Sequence, residues 1–270
     1  MNRYQQFREE CAKEVAQQAE DQTLRAATRT WMDLANAAKY SYHFQWLGRP
    51  VIQYPQDIVV LQELIWEVQP TVILETGIAH GGSLILSASM LALLDYTDAA
   101  RLGTPLLPKE SKRRVIGVDI DIREHNRAAI EQHPLSHLIT MIEGSSTEST
   151  IVEQVRRLIR PDDRVLVCLD SNHTHEHVLA ELQAYAPLTS KGSYCAVFDT
   201  VIEFLPSDSF GDRKWGRGDN PLTAVRSYLA ELSSAKRVGA DGQPLNFEID
   251  QSVANRALIT VAPDGFLKRT

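Results

Sequence analysis

Four acidic residues stand where an apolar run stops: Glu75 after Thr71-Val72-Ile73-Leu74, Asp119 after Val115-Ile116-Gly117-Val118, Asp170 after Val165-Leu166-Val167-Cys168-Leu169, and Asp199 after Tyr194-Cys195-Ala196-Val197-Phe198. Carboxylates in such places can hold a divalent cation, accept hydrogen bonds from a diol, or take a proton from a hydroxyl. One strand-terminal Asp usually caps the following helix, whereas several on one rim point to a ligand. Gly77, Gly81, Gly82 and Ser83 follow Glu75 closely. Glycines there let backbone N–H groups come close to a ligand, and the Glu75 carboxylate suits a cationic or hydroxyl-bearing partner better than a phosphate. The spacing is not G-x-G-x-x-G, so the expected nucleotide is S-adenosylmethionine rather than a dinucleotide. Asp119 suits the two ribose hydroxyls, since a carboxylate accepts two charge-assisted hydrogen bonds from a diol. Asp121 is open for the same role or as a cap of the next helix.

Just after Asp170 come Ser171-Asn172-His173, then Thr174-His175-Glu176-His177. An imidazole there is matched to proton transfer near neutral pH, so Asp170 and His173 are candidates to accept an acceptor's proton. The run also satisfies H-x-x-E-H, which raises a second enzyme class: a zinc metallohydrolase with His173 and His177 as ligands and Glu176 activating water. Against that, the motif follows a buried strand directly instead of lying within a long helix. The plainer reading has Thr174 as the cap, with His175 and His177 on the helix surface. A short-chain dehydrogenase would share the architecture, but the chain has no Tyr-x-x-x-Lys. A fold of this kind kept for binding without turnover is the remaining alternative.

The elements that must position these residues alternate from residue 71 onward. Strands are expected at 71–76, 115–120, 138–143, 165–170 and 194–199, and helices at 82–94, 123–132, 147–159, 175–186 and 221–233. Five near-continuous apolar strands, each followed by a helix, require a parallel sheet covered on both faces. Two further strand candidates, 247–253 and 257–262, end the pattern with an antiparallel element. The expected class is therefore α/β, a doubly wound Rossmann-like, mostly parallel sheet with an antiparallel C-terminal strand and a helical N-terminal extension. Residues 1–50 would form that extension and a flap, and 51–270 the main domain. The extension begins with a sparse, Glu- and Gln-rich helical stretch that suggests a homo-oligomer. Trp31, Tyr40, Tyr42, Phe44 and Trp46 follow, as a flap over the core or a lining for an organic acceptor. An amphipathic helix through Ile58, Leu61, Leu64, Ile65 and Val68 leads into the first strand. The stretch 201–220 is long for a connection in a compact domain and reads as a lid, with Trp215 or Arg217 at the acceptor. Arg217-Gly218-Asp219 resembles an adhesion tripeptide only by coincidence.

With 270 residues and 43% apolar content, the chain can bury a sizeable core. A net charge of −7 and a pI near 5.6 argue against nucleic acid or an anionic membrane as the partner and favour a small molecule. Cys11, Cys168 and Cys195 are far apart, and two of them lie in apolar runs. Reduced core thiols and the lack of a leader-like or membrane-spanning stretch lead to a cytoplasmic expectation.

Taken in order, Glu75-Thr76-Gly77 with Gly81-Gly82-Ser83, Val115-Ile116-Gly117-Val118-Asp119, Glu143-Gly144-Ser145-Ser146, Asp170-Ser171-Asn172-His173, Asn220-Pro221 with Ala224-Val225, and Pro263-Asp264-Gly265-Phe266-Leu267 resemble the cephalosporin hydroxylase/rhamnosyl O-methyltransferase family. The resemblance spans about residues 40–268. It implies a class I S-adenosylmethionine-dependent O-methyltransferase acting on a sugar or natural-product hydroxyl. Glu75, Gly77 and Ser83 would lie near the methionine part of the cofactor, Asp119 on the ribose, and Glu143, Gly144 and Ser145 near the adenine. Asp170 would border both cofactor and acceptor. The same resemblance implies Mg²⁺ held by Asp170 and Asp199. The sequence departs from the pattern at Phe198, where relatives of the hydroxylase branch have a second acid, and at Thr200, which stands in place of an amide.

Overall fold

A computed structural model describes residues 2–270, apart from the side chains of 207 and 208. In chain order the elements are α1 (Arg3–Glu20), α2 (Gln22–Ala37), β1 (Phe44–Trp46), β2 (Arg49–Val51), α3 (Pro55–Val68), β3 (Val72–Thr76), α4 (Gly82–Leu102), β4 (Arg114–Asp119), α5 (Glu124–Glu131), β5 (Ile139–Glu143), α6 (Ser149–Leu158), β6 (Val165–Leu169), α7 (His175–Tyr185), β7 (Tyr194–Val197), α8 (Pro221–Ser234), β8 (Phe247–Ile249), α9 (Gln251–Ala257) and β9 (Phe266–Arg269). β1 and β2 form a separate small hairpin.

The other seven strands make one sheet in the order β5-β4-β3-β6-β7-β9-β8. The first five of that order run parallel, and β9 pairs antiparallel with both β7 and β8. Alternation along β3 divides the core. Val72 and Leu74 join a layer with Val152, Val155, Leu182 and Tyr185, while Ile73 joins Leu64, Ile65, Leu84 and Leu91 on the other face. Strands buried on both faces have no polar side to offer, which is why their sequences are nearly continuous apolar runs. Strand order reverses between β3 and β6, so a crevice opens at their carboxyl ends, at Thr76 and Leu169.

The structure corrects the expected tail. The alternation read as a strand over 247–253 stops at Ile249, because Asp250 accepts hydrogen bonds from Ser252 N (3.1 Å) and Oγ (2.6 Å) and starts α9. Residues 257–262 are not a strand either; the last strand is β9, formed by the segment read as a motif only. α4 outruns its expected end at 94. Its exposed last turns are tied down by Arg113, which pairs with Asp95 (2.6 Å) and Asp98 (2.8 Å), and Gly103 ends it in a left-handed conformation.

At the N-terminus, α1 has no buried residue and α2 buries only Met32. Gln18 Nε2 of α1 donates to Asn255 O of α9 (2.6 Å). Trp31 and Tyr40 each stack against the fully buried Tyr54, with centroids 5.8 Å away, and Tyr54 donates to Asn36. Most of the aromatic cluster thus covers the core, as the first reading has it. Trp46 is fixed by an Nε1–H bond to Ser89 Oγ (2.9 Å). Among the described residues no helix is long and apolar enough to cross a membrane.

Candidate active site

Two of the glycines after β3 are also needed for chain-to-chain contact. Gly77 has φ +91°, and a Cβ there would lie 2.0 Å from Asp170 O, so only glycine lets the turn after β3 touch the end of β6. A Cβ on Gly82 would meet Pro50 O at 2.1 Å, which sets α4 against β2. These approaches bring Asp170 and the flap to one place, with Glu75 off that wall in a smaller adjoining pocket beside Gln53 and Asp57.

A cavity of about 720 Å³ occupies that place. Gly77, Ile78 and Ser83 line one side, Asp170, Ser171, His173 and Asp199 the floor, and Lys39, Ser41 and Tyr42 the flap. Of the flap aromatics read as a possible acceptor lining, only Tyr42 reaches this wall. His173 Nε2 lies 3.1 Å from Asp199 Oδ2, and one ligating atom from each of Asp170, His173 and Asp199 falls within 4.8 Å of the others. β7 stops at Val197, and Asp199, two residues on, takes φ +56°, an uncommon conformation for a residue with a Cβ. Burial pushes the Asp170 carboxyl well above its ordinary range, and the negative charges of Asp199, Glu75, Glu181 and Asp57 push it the same way. Among the described residues no lysine or arginine pairs with Asp170 or Asp199. Glu75 is also raised by burial, opposed by hydrogen bonds from Ser87 and Ser83.

The other predicted residues stand apart from this floor. Asp119 Oδ2 accepts from Ile78 N (2.7 Å) and Ala79 N (3.2 Å), and Oδ1 from Asp121 N (3.1 Å), so it buttresses the glycine turn. Asp121 is exposed and caps nothing; it lies 3.9 Å from Arg123, the residue at the cap position of α5. Glu143 pairs with Arg127 (2.7 Å), and Ser145 Oγ lies 3.1 Å from Thr147 Oγ1. Asp119, Glu143, Gly144 and Ser145 are outside the cavity wall, although β4 and β5 put Asp119 and Glu143 in register on the same rim.

The zinc reading fails on geometry. α7 begins at His175, so His173 is not on the helix. His177 turns to Ser146 Oγ (3.0 Å), Ser171 Oγ (3.2 Å) and Glu181 Oε1 (3.5 Å), away from the His173 cluster. Nor are His175 and His177 surface residues: both are half-buried, and His175 Nδ1 meets Thr223 Oγ1 (2.8 Å). Thr174 occupies the cap position without a side-chain bond; Asn172 accepts from its N–H (2.9 Å), and Asp219 from that of His175 (2.6 Å).

The stretch 201–220 contains two 3₁₀ turns. Trp215 lines the cavity and meets the His173 ring edge-on at 5.0 Å, with Arg213 stacked on it at 5.3 Å, while Arg217 is exposed and off the wall. Sequence reasoning passed over Gln53 and Asp57, which stand behind Asp170. The available signal was an acid on the inward stripe of an apolar helix, Asp57 sharing a face with Leu61 and Leu64.

This strand order, with an acidic strand end and glycine turn at the switch point, defines a class I methyltransferase fold. The Rhamnosyl O-methyltransferase/CmcI family matches residues 38–270, and the chain belongs to it and is an S-adenosylmethionine-dependent methyltransferase. It is similar to the rhamnosyl O-methyltransferases of Mycobacterium tuberculosis (29% identical over 214 residues, 79% of this chain and 73% of that protein) and Mycobacterium leprae (28% over 225 residues, 83% and 82%). Its fold resembles that of CmcI solved with magnesium and S-adenosylmethionine (TM-score 0.51, 20% identity, 85% of this chain and 77% of that one).

Proposed function

We propose that the chain methylates a hydroxyl of a sugar or sugar-bearing natural product, with Asp170, His173 and Asp199 as the reaction centre. The observation that carries this is the convergence of these three side chains on the floor of the cavity beside the glycine turn. Rhamnosyl methylation in the named relatives supports the sugar class.

The donor set fits a hard divalent cation: two carboxylates within reach of each other, neither paired with a lysine or arginine among the described residues. Asp170 and Asp199 would hold Mg²⁺, which when bound lowers the pKa of a coordinated hydroxyl and fixes its oxygen. When His173 Nε2–H donates to Asp199, Nδ1 keeps the free lone pair. It takes the acceptor's proton, and Asp199 stabilises the imidazolium that results. Trp215 and the flap shield the centre from water and hold the acceptor ring. Glu75, Gly77 and Ser83 would take the methionine end of S-adenosylmethionine, which supplies an electrophilic methyl. Asp119 would serve its ribose, and Glu143, Gly144 and Ser145 its adenine. Two buried thiols suit a reducing cytoplasm, and the thinly packed α1 suits a homo-oligomer.

The test is methyl transfer to rhamnosides and other glycosides with and without chelator. Activity that disappears with chelator and returns with Mg²⁺ is the expected result. Transfer indifferent to chelator would remove the cation and leave His173 as base, and a failure to bind S-adenosylhomocysteine would end the reading.

A further inference from the structure

Gln53, just before α3, and Asp57, in its first turn, stand behind the reaction centre. Asp57 is only 1% exposed, yet it accepts hydrogen bonds from Thr260 Oγ1 (2.5 Å) and Val261 N (3.0 Å), far along the chain. The segment it grips backs the turn that bears Asp199. Val261 O accepts from Val201 N (3.1 Å), and Pro263 O accepts from Thr200 Oγ1 (2.5 Å). A left-handed Asp199 persists only where its surroundings over-determine it, and these bonds supply that constraint. Gln53 works on the other acid. Its Nε2 is 3.5 Å from Asp170 Oδ2, at the edge of hydrogen-bond reach, while its Oε1 is buried with no partner.

We propose that the Gln53–Asp57 turn is the positioning element of the reaction centre, with Asp57 setting Asp199 through the 260–263 strap and Gln53 orienting Asp170. Asp57 is a positioning residue: its hydrogen bonds lead to the Asp199 turn through Thr260 and Val261, and its charge acts on Asp199 and Asp170 only at a distance. The inference rests on the reading that Asp170 and Asp199 hold a divalent cation. Partners behind metal ligands typically set affinity by about 10-fold to 100-fold, because they fix the ligands' orientation.

The experiment is calorimetric titration of the full chain with Mg²⁺, repeated for Asp57→Asn, Thr260→Val and Gln53→Ala, alongside thermal melts and S-adenosylhomocysteine titration. Each variant should weaken Mg²⁺ at least about tenfold. Asp57→Asn and Thr260→Val should leave S-adenosylhomocysteine affinity within about twofold, because among the described residues the strap makes no hydrogen bond to the glycine turn. Folded variants that bind Mg²⁺ like the wild type overturn the proposal. So does parallel loss of Mg²⁺, cofactor affinity and melting temperature, which marks a purely structural role. If Asp57→Asn does not fold, Thr260→Val and Gln53→Ala decide by the same criteria. A wild type that binds no Mg²⁺ sinks the cation reading itself, an outcome distinct from wild-type binding that the variants leave unchanged.

Discussion

The carboxyl rim of the sheet has two halves that treat their acids differently. On the side of β4 and β5, Asp119 accepts three backbone N–H groups and Glu143 is paired with Arg127. On the side of β6 and β7, Asp170 and Asp199 face each other and further carboxylates, with His173 as the sole nitrogen base in the cluster. Satisfied acids hold a loop in shape; unsatisfied ones store a demand for positive charge that a cation or a proton meets. Under the proposed reaction centre the difference separates scaffold from chemistry more sharply than position on the rim does, and substitutions at four positions on the rim and one titration can break or sharpen it.

The largest effect belongs to Asp170. Replacing it with Asn removes the charge and leaves the shape, so kcat should fall by about 10³-fold while S-adenosylhomocysteine affinity stays nearly constant. Single-turnover kinetics beside calorimetry separate the two. A variant with near-wild-type turnover would move the reaction centre away from β6. His173→Ala comes next, with a loss of about 10²-fold in kcat and a flattening of the acid limb of the pH–rate profile. An unaltered profile would show that the proton leaves by another route.

A pH titration of stability probes the same half. Burial raises the Asp57 carboxyl to about 7 from an ordinary 3.8. The native state then binds this proton more tightly than the unfolded chain, so the stabilising contribution is complete below about pH 4 and is lost as pH rises through about 7. The melting temperature should therefore decline across that window in the wild type, and the decline should be smaller in Asp57→Asn. An identical slope in both proteins would mean that folding leaves the Asp57 carboxyl where it is in the unfolded chain.

What the sequence made legible follows from this contrast. The parallel strands were readable because burial on both faces enforces apolar runs, and Asp170 and Asp199 stood out as candidates because they close such runs, with His173 three residues beyond Asp170. α9 was hidden because the alternating Phe247-Glu248-Ile249 continues into a cap whose effect depends on Asp250 folding back on Ser252. The glycines were legible as a turn but not in purpose. Their need arises from contacts with Asp170 and Pro50, far away in sequence. Gln53 and Asp57 were illegible for the same reason, since their partners lie more than 100 residues further on.

On the satisfied half, Asp119→Ala should act through the turn as well as on the ribose. Ile78 and Ala79 lose their acceptor together, and hydrogen bonds to a charged group are worth about 1.5–3 kcal/mol. Cofactor affinity should drop about 10-fold to 100-fold, with kcat at saturating cofactor changed little. If kcat instead falls as steeply as in Asp170→Asn, the two halves are not separable in the way their hydrogen bonds suggest.

Glu143→Gln should have the smallest effect. Its partner Arg127 is 2.7 Å away, but the two side chains are 48% and 32% exposed, so water screens the pair and its loss costs about 0.2–1 kcal/mol at most. Gln keeps a carbonyl oxygen that can still accept from a purine amine, which limits the change in S-adenosylhomocysteine affinity to less than about fivefold. Removing the acceptor altogether in Glu143→Leu separates a contact with adenine from the ion pair with Arg127. If Leu weakens the cofactor well beyond Gln, adenine is read by that oxygen; if the two variants match, Glu143 only steadies Arg127 and the adenine is held by Gly144 and Ser145 beside it.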